Sequence, residues 1–401
     1  MLSRKFIIRS CICLVALHCC CMPRMAVAQT KEQQAALDLE HAGKTDEAIV
    51  AFHAILKGSP TDGNVINELS ALYYTKGDFA SAYKMAGDAL KQQPNNPAFM
   101  VSRARAALEV NKPEETLSLM DAAIAKDATL AYGQVLRGEA LEAKNQPQQA
   151  IGAYSKALQA NPQMVLAYNL RGTAFYGISR YEDALKDFDK FLEGGGVTPS
   201  VYNMRGMTQI RLGNRSAAIA DYTKGLEVEP ENYHMLANRG SAFLDAGNPA
   251  LANADFEKAI ILNGKLADGY YGLARVYNAE KAFAKALPMA EKAIALNGVM
   301  LPYRAVKCLA LIGLDLNKEV IPLTDKMLSM DEKSSDAYIF KATAYSNLDD
   351  YANAISTLNT AIGKMPDNYL FYSLRAAIFR FQKNNTAADA DDAKAKALSS
   401  K

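Results

Sequence analysis

The sequence predicts an all-α solenoid of about eleven helix-turn-helix repeats, and three observations carry that prediction. First, the dipeptide Arg-Gly recurs at Arg137-Gly138, Arg171-Gly172, Arg205-Gly206 and Arg239-Gly240, three successive intervals of 34 residues. Second, placing those glycines eighth in a 34-residue frame puts the frame's origin at residue 29, from which eleven repeats, less one residue, reach the end of the chain. Third, the composition is half apolar and 22% charged, too apolar for a disordered chain. Self-similarity at this period marks stacked two-helix modules.

Each part of the repeat has a physical reason. Alanine stands at the twentieth place in most repeats (Ala48, Ala82, Ala150, Ala184, Ala218, Ala252, Ala286, Ala354, Ala388). Together with the small eighth residue it lets two helices approach closely. A bulky residue often follows four later (Phe52, Tyr154, Phe188, Tyr222, Phe256) and fills the groove beside that contact. Gly43, Gly77, Gly213 and Gly247 mark a mid-repeat turn, and Pro60, Pro94, Pro162, Pro230 and Pro366 end the second helix. One hairpin cannot bury its own apolar faces, so neighbours must stack.

The first residues read differently. Arg4, Lys5 and Arg9 precede the apolar run Ser10–Met22, and Ala26-Val27-Ala28 precedes Gln29. These are the parts of a secretory leader, with cleavage expected between Ala28 and Gln29. The expected organisation is therefore a leader over 1–28 and a repeat array over 29–401. Five of the six cysteines lie in the leader, in contexts that fit lipid attachment poorly. Only Cys308 remains in the array, so no disulfide inside the mature chain is expected and packing must hold it. Removing 1–28 takes four basic residues and no acidic one from the 45 basic and 43 acidic, leaving a net charge of −2. That balance is not the footprint of a nucleic-acid binder.

The pattern of Leu69, Tyr73, Gly77, Ala82, Ala89, Leu90 and Pro94, and that of Gly138, Leu141, Ala150, Tyr154, Ala157 and Pro162, closely resembles the tetratricopeptide repeat family. Tyr168, Tyr202, Tyr270, Tyr338 and Tyr372 stand where that family usually has tryptophan. The resemblance implies a right-handed superhelix, of the secreted or periplasmic bacterial type, whose first helices line a groove. Some repeats depart from the pattern. Arg103 and Thr116 replace the usual leucine and alanine in the third, and Cys308, Val320 and Thr324 vary the ninth. Gly194-Gly195-Gly196 closes the fifth repeat and reads as a flexible joint. Pro288 and Pro322 sit inside second helices, where small kinks but no breaks are expected. Asp392, among Asp389, Asp391, Lys394 and Lys396, makes the last helix a polar cap.

Arginine at the seventh place is accompanied by aspartate sixteen residues on in four repeats: Arg171 with Asp187, Arg205 with Asp221, Arg239 with Asp255, and Arg375 with Asp391. Facing helices of one hairpin would bring these together as structural pairs. Arg103 and Arg137 lack that aspartate and are expected to be freer.

Catalytic chemistry is missing from the pattern. His41, His53 and His234 do not form a zinc-ligand spacing. Cys308 occupies a close-approach position and reads as core, and the triple glycine lacks the residues of a phosphate loop. No enzyme activity, metal, cofactor or small-molecule substrate is expected.

By resemblance, the second, fifth, ninth, twelfth and thirteenth places face the groove. Candidate groove residues are Asn67, Tyr74, Arg105, Tyr132, Asn169, Tyr176, Asn203, Arg211, His234, Tyr271 and Arg275. Asparagine offers a peptide backbone both a donor and an acceptor, and tyrosine offers apolar area with a polar tip. The expected function is a periplasmic or cell-envelope scaffold that holds a protein or peptide segment. The alternative is a subunit of a polysaccharide synthesis or export machine or of a secretion complex, and a complex held at a membrane is compatible with either.

Overall fold

The computed structural model describes residues 30–400, so the expected leader and its cleavage point at Ala28 and Gln29 lie outside the described residues. Among the described residues there are 22 helices and no strand. They follow the residue-29 frame, two helices to each of eleven repeats. From the second repeat onward the first helix begins at the opening place, as at Gly63, Pro97, Ala131 and Val165. Every second helix begins at the seventeenth place, from Thr45 to Asn385. Proline opens several second helices (Pro113, Pro147, Pro249), where its missing N–H costs nothing.

The turn inside each hairpin is set by one backbone conformation. The fifteenth residue has positive φ in every repeat: Gly43, Gly77, Gly213 and Gly247 at 74° to 83°, and Asn111, Asn145, Ser179, Lys281, Asp315, Asp349 and Lys383 at 57° to 62°. Glycine adopts this region freely, and asparagine and aspartate tolerate it. Lysine at 281 and 383 holds it only because the helices on either side fix the turn.

The eighth and twentieth residues meet where the two helices of a hairpin cross, and both are buried throughout, as with Ala36 against Ala48 and Cys308 against Val320. A side chain at Gly138 would meet the Tyr154 ring at 2.3 Å. Polar substitutes at these places satisfy themselves on the facing backbone. Thr116 Oγ1 donates to the Ala104 carbonyl (2.9 Å) and Ser70 Oγ to that of Ala82 (2.8 Å). Between repeats, Gly272 accepts the Phe256 ring of the preceding hairpin, which an added methyl would strike at 2.2 Å.

The chain divides into two compact units, one running to Ala217 and one from Ala218. Within each, successive first helices touch one another: Gly63–Lys76 against Pro97–Glu109 and Pro97–Glu109 against Ala131–Ala143 in the first, Ala267–Ala279 against Leu301–Gly313 in the second. No two second helices of the described residues are in comparable contact. First helices therefore form the inner side of each stack. The expected joint at Gly194–Gly196 is instead a packed corner. Gly194 lies against Val165, Gly196 against the Phe191 ring, and Gly195 alone has positive φ (83°). Gly194 and Gly196 are there for space, and Gly195 for its backbone conformation. The helices holding Pro288 and Pro322 run unbroken over Phe283–Leu296 and Asn317–Met330.

Candidate binding face of the first helices

Seventh-place cations form a seam between hairpins. Arg171 holds Asp187 with two bonds of 2.8 Å, Arg239 holds Asp255 with two of 2.8 Å, and Arg375 holds Asp391 with two of 2.7 Å. These fork-shaped pairs are the ones expected from sequence. Each guanidinium also reaches a residue sixteen places earlier, on the second helix of the preceding hairpin: Ser155 (3.0 Å), Thr223 (3.2 Å) and Asn359 respectively. Arg205 belongs to the first unit, where it donates to Asp189 at 2.7 Å; Asp221 belongs to the second, where it is buried.

The same backward reach occupies Arg137, expected to be freer, and two seventh-place lysines. Arg137 pairs with Asp121 (2.8 Å), Lys307 with Glu291 (2.8 Å) and Lys341 with Asp325 (2.6 Å). Arg103 lies over the Tyr83 ring, its guanidinium carbon 3.2 Å from the ring centre, and pairs with Glu115 at 2.7 Å. Burial works against the Glu115 charge, but the hydrogen bonds from Tyr83 and Arg103 outweigh it and lower its pKa. The sequence reading missed the backward partners because their residue types vary, although their spacing is constant.

The groove candidates fall on first helices, as the frame requires, but at different depths. In the first unit Tyr74, Tyr132 and Tyr176 are half-buried and Arg211 is exposed. Asn67 is also half-buried, with its side-chain oxygen enclosed and unpartnered. Asn169 and Arg105 are buried, contrary to the expectation of open groove groups. Arg105 is covered by Tyr74, whose ring centre lies 4.2 Å from the guanidinium carbon. Asn203 Nδ2 points at Met207 Sδ (3.7 Å), and Tyr176 packs edge-on against Tyr181 and bonds Arg211.

Acidic residues at groove places, which the sequence reading passed over, join this face. Tyr74 donates to Glu109 (3.1 Å) and Tyr154 to Glu142 (3.2 Å). Glu139, at the ninth place of the fourth repeat, is pushed up to about 8, first by burial and then by the charges of Glu142 and Glu109. Burial and Glu109 likewise raise Tyr74, against Arg105.

In the second unit His234, Tyr271 and Arg275 share the corresponding face. Arg275 pairs with Asp245 at 2.6 Å, and Tyr271 packs against Tyr303, whose hydroxyl donates to Asp268 (2.5 Å). Burial pushes His234 down, against the pull of Asp268. Asn278, also missed from sequence, is buried and donates to the Val306 carbonyl of the next hairpin (2.9 Å).

Elsewhere, Cys308 is fully buried in the core as expected, and its thiol is pushed up to about 12 by that burial. His41 is exposed, and His53 shares a 2.9 Å hydrogen bond with the Tyr73 hydroxyl. Among the described residues no three metal-binding side chains converge, and no helix is long and apolar enough to cross a membrane.

Family models described as tetratricopeptide repeat match residues 39–98, 135–196, 203–265, 237–298 and 335–363, together more than half of the chain. The chain carries tetratricopeptide repeats. Among solved structures it is similar in fold to yeast Tom70, at 15% identity, covering 92% of this chain and 91% of that one with a TM-score of 0.45. A tetratricopeptide-repeat protein of Cytophaga hutchinsonii, represented by its C-terminal part, aligns at 20% identity over 62% of this chain and 98% of that one (TM-score 0.48). YrrB, described as a tetratricopeptide-repeat protein with an unusual peptide-binding site, aligns at 21% identity over 46% of this chain and 95% of that one (TM-score 0.42). A search of curated proteins returns no match.

Proposed function

We propose that this tetratricopeptide-repeat chain is a secreted or periplasmic, non-enzymatic scaffold that holds a segment of another protein against its first-helix face. One observation carries the reading. The seam that holds the hairpins together uses its cations up in pairs, while the first-helix face keeps half-buried tyrosines and charged groups in reach of solvent. Tyr132, Tyr176 and Tyr271 offer a partner large apolar area with a hydroxyl at the tip, at little cost in side-chain entropy. The leader expected over residues 1–28 supports an extracytoplasmic location.

Photo-crosslinking from single positions in the full chain, produced in its own host, tests both parts. A crosslinker at Tyr132 or Tyr271 is expected to trap a partner protein, and one at the outward-facing Val50 or Leu251 is not. Equal trapping from both sides would put the binding face elsewhere. Mass spectrometry of the exported chain should find Gln29 as its first residue; an intact leader on cytoplasmic protein would remove the proposed location.

A further inference from the structure

In three repeats of the second unit the fourth place holds a tyrosine with one shared duty. Tyr338 and Tyr372 donate their hydroxyls to the backbone carbonyls six residues earlier (3.2 and 3.0 Å), and Tyr270 does so at 3.4 Å, tying down the linker before each first helix. In the ninth repeat that place holds Arg304. Only 8% of its surface is exposed, and its Nη1 is enclosed without a hydrogen-bond partner. Helical side chains lean toward the start of their helix, and this one reaches back to the linker, where Nη2 lies 4.0 Å from the place a Gly298 side chain would begin.

Among the described residues no carboxylate pairs with it, and Asp268 accepts from the hydroxyl of the preceding residue, Tyr303. The helix it belongs to, Leu301–Gly313, begins uncapped. Met300 makes no side-chain cap bond, and Pro302 has no N–H. The amides of Leu301 and Tyr303 belong to the first turn of this helix, where no intrahelical carbonyl serves them, at the positive end of the helix dipole. A desolvated charge without a partner is costly, and such groups call for a counter-ion supplied from elsewhere. Beside the notch, Val299 is 75% exposed and Met300 is open as well.

We propose that Arg304 and the start of its helix form a carboxylate-binding notch that takes an acidic side chain of a partner protein, with Val299 and Met300 contacting an apolar residue next to it. Arginine presents a planar fork matched to a carboxylate, and amides at a helix start add to it. The notch lies on the linker between hairpins eight and nine, apart from the groove places, and so does not depend on the first-helix face being the main binding surface.

The test uses the full chain with acetate as the probe, because a lone carboxylate binds a single site only weakly, in the millimolar range. In about 100 mM sodium acetate, against sodium chloride of equal ionic strength, amide exchange at Leu301 and Tyr303 is expected to slow several-fold. Arg304→Met should abolish that slowing and leave the free chain at least as stable as wild type, since it removes an uncompensated charge. Arg304→Tyr, which restores the residue used by neighbouring repeats, should do the same with a Tm raised by about 1–3 °C. No slowing in acetate, or slowing that survives both substitutions, overturns the proposal. Slowing in phosphate but not in acetate overturns the carboxylate assignment, as does a chain destabilised by both substitutions.

Discussion

The seventh-place seam and the first-helix face of repeats two to four both hold charges, and they treat them in opposite ways. On the seam the cations meet their partners at a spacing of sixteen residues, forward, backward or both, except Arg103, which takes Glu115 twelve residues on. On the face, Glu139 is pushed up to about 8, first by burial and then by the charges of Glu142 and Glu109, while Arg105 lies over the Tyr74 ring. The first arrangement fixes the register of one hairpin on the next. The second is poor for the stability of the free chain, and the cost falls where a partner would bind.

Removing a seam partner should have the largest effect. Asp255 is nearly buried and takes both arms of Arg239. Asp255→Ala leaves a partly buried guanidinium with only Thr223, and a loss of about 3 kcal/mol is expected in denaturant unfolding. Asp255→Asn should lose nearly as much, because the charge is what the fork binds. A loss below about 0.5 kcal/mol would make the seam no different from an ordinary surface pair.

Glu139→Gln tests the opposite half of the comparison. A carboxyl whose pKa rises on folding binds its proton more tightly in the folded chain, so stability falls as pH rises from the unfolded value of 4.5 and levels off above about 8. The wild-type chain should therefore lose stability across pH 5–8 relative to Glu139→Gln, by on the order of 2 kcal/mol. Parallel stability curves for the two proteins would mean that Glu139 is ionised in the fold and that the face carries no such tension.

How much of this was readable in the sequence depends on whether a contact repeats with fixed chemistry. Helix starts repeat at constant spacing, the eighth and twentieth places keep small or short side chains, and the forward Arg–Asp pairs keep their residue types, so periodicity exposed them. Backward partners of the seam repeat in spacing but not in residue type: Asp121, Ser155, Asp189, Thr223, Glu291 and Asp325 share a place at which carboxylates alternate with hydroxyls. Gly194–Gly196 read as a joint because glycine signals freedom and close packing alike, and only the positions of Val165 and Phe191 separate the two. Depth on the binding face was also hidden. Asn169 and Asn203 occupy the same place of adjacent repeats, yet the first is buried and the second only partly so, because their neighbours differ.

A substitution that touches neither region gives a baseline. Lys281 holds a left-handed turn (φ 57°) that Gly247 holds at the same place one repeat earlier. Lys281→Gly should raise stability by about 0.5–1 kcal/mol, relief of strain being partly offset by a freer unfolded chain. Because Lys281 is not among the partners of Asp255 or Arg239, that gain should add to the loss from Asp255→Ala within about 0.5 kcal/mol.

The smallest expected change lies on the seam itself and marks where its strength ends. Asp121 meets Arg137 at 2.8 Å, the same spacing as the buried pairs, but its side chain is 59% exposed and it takes one arm of the guanidinium. Water already solvates most of that carboxylate, so Asp121→Ala should cost only about 0.5 kcal/mol, and less as salt is added. Geometry alone would rank Asp121 beside Asp255. A loss near 3 kcal/mol at both would show that spacing sets the strength of the seam, whereas the expected sixfold difference assigns that strength to burial and the two-armed grip.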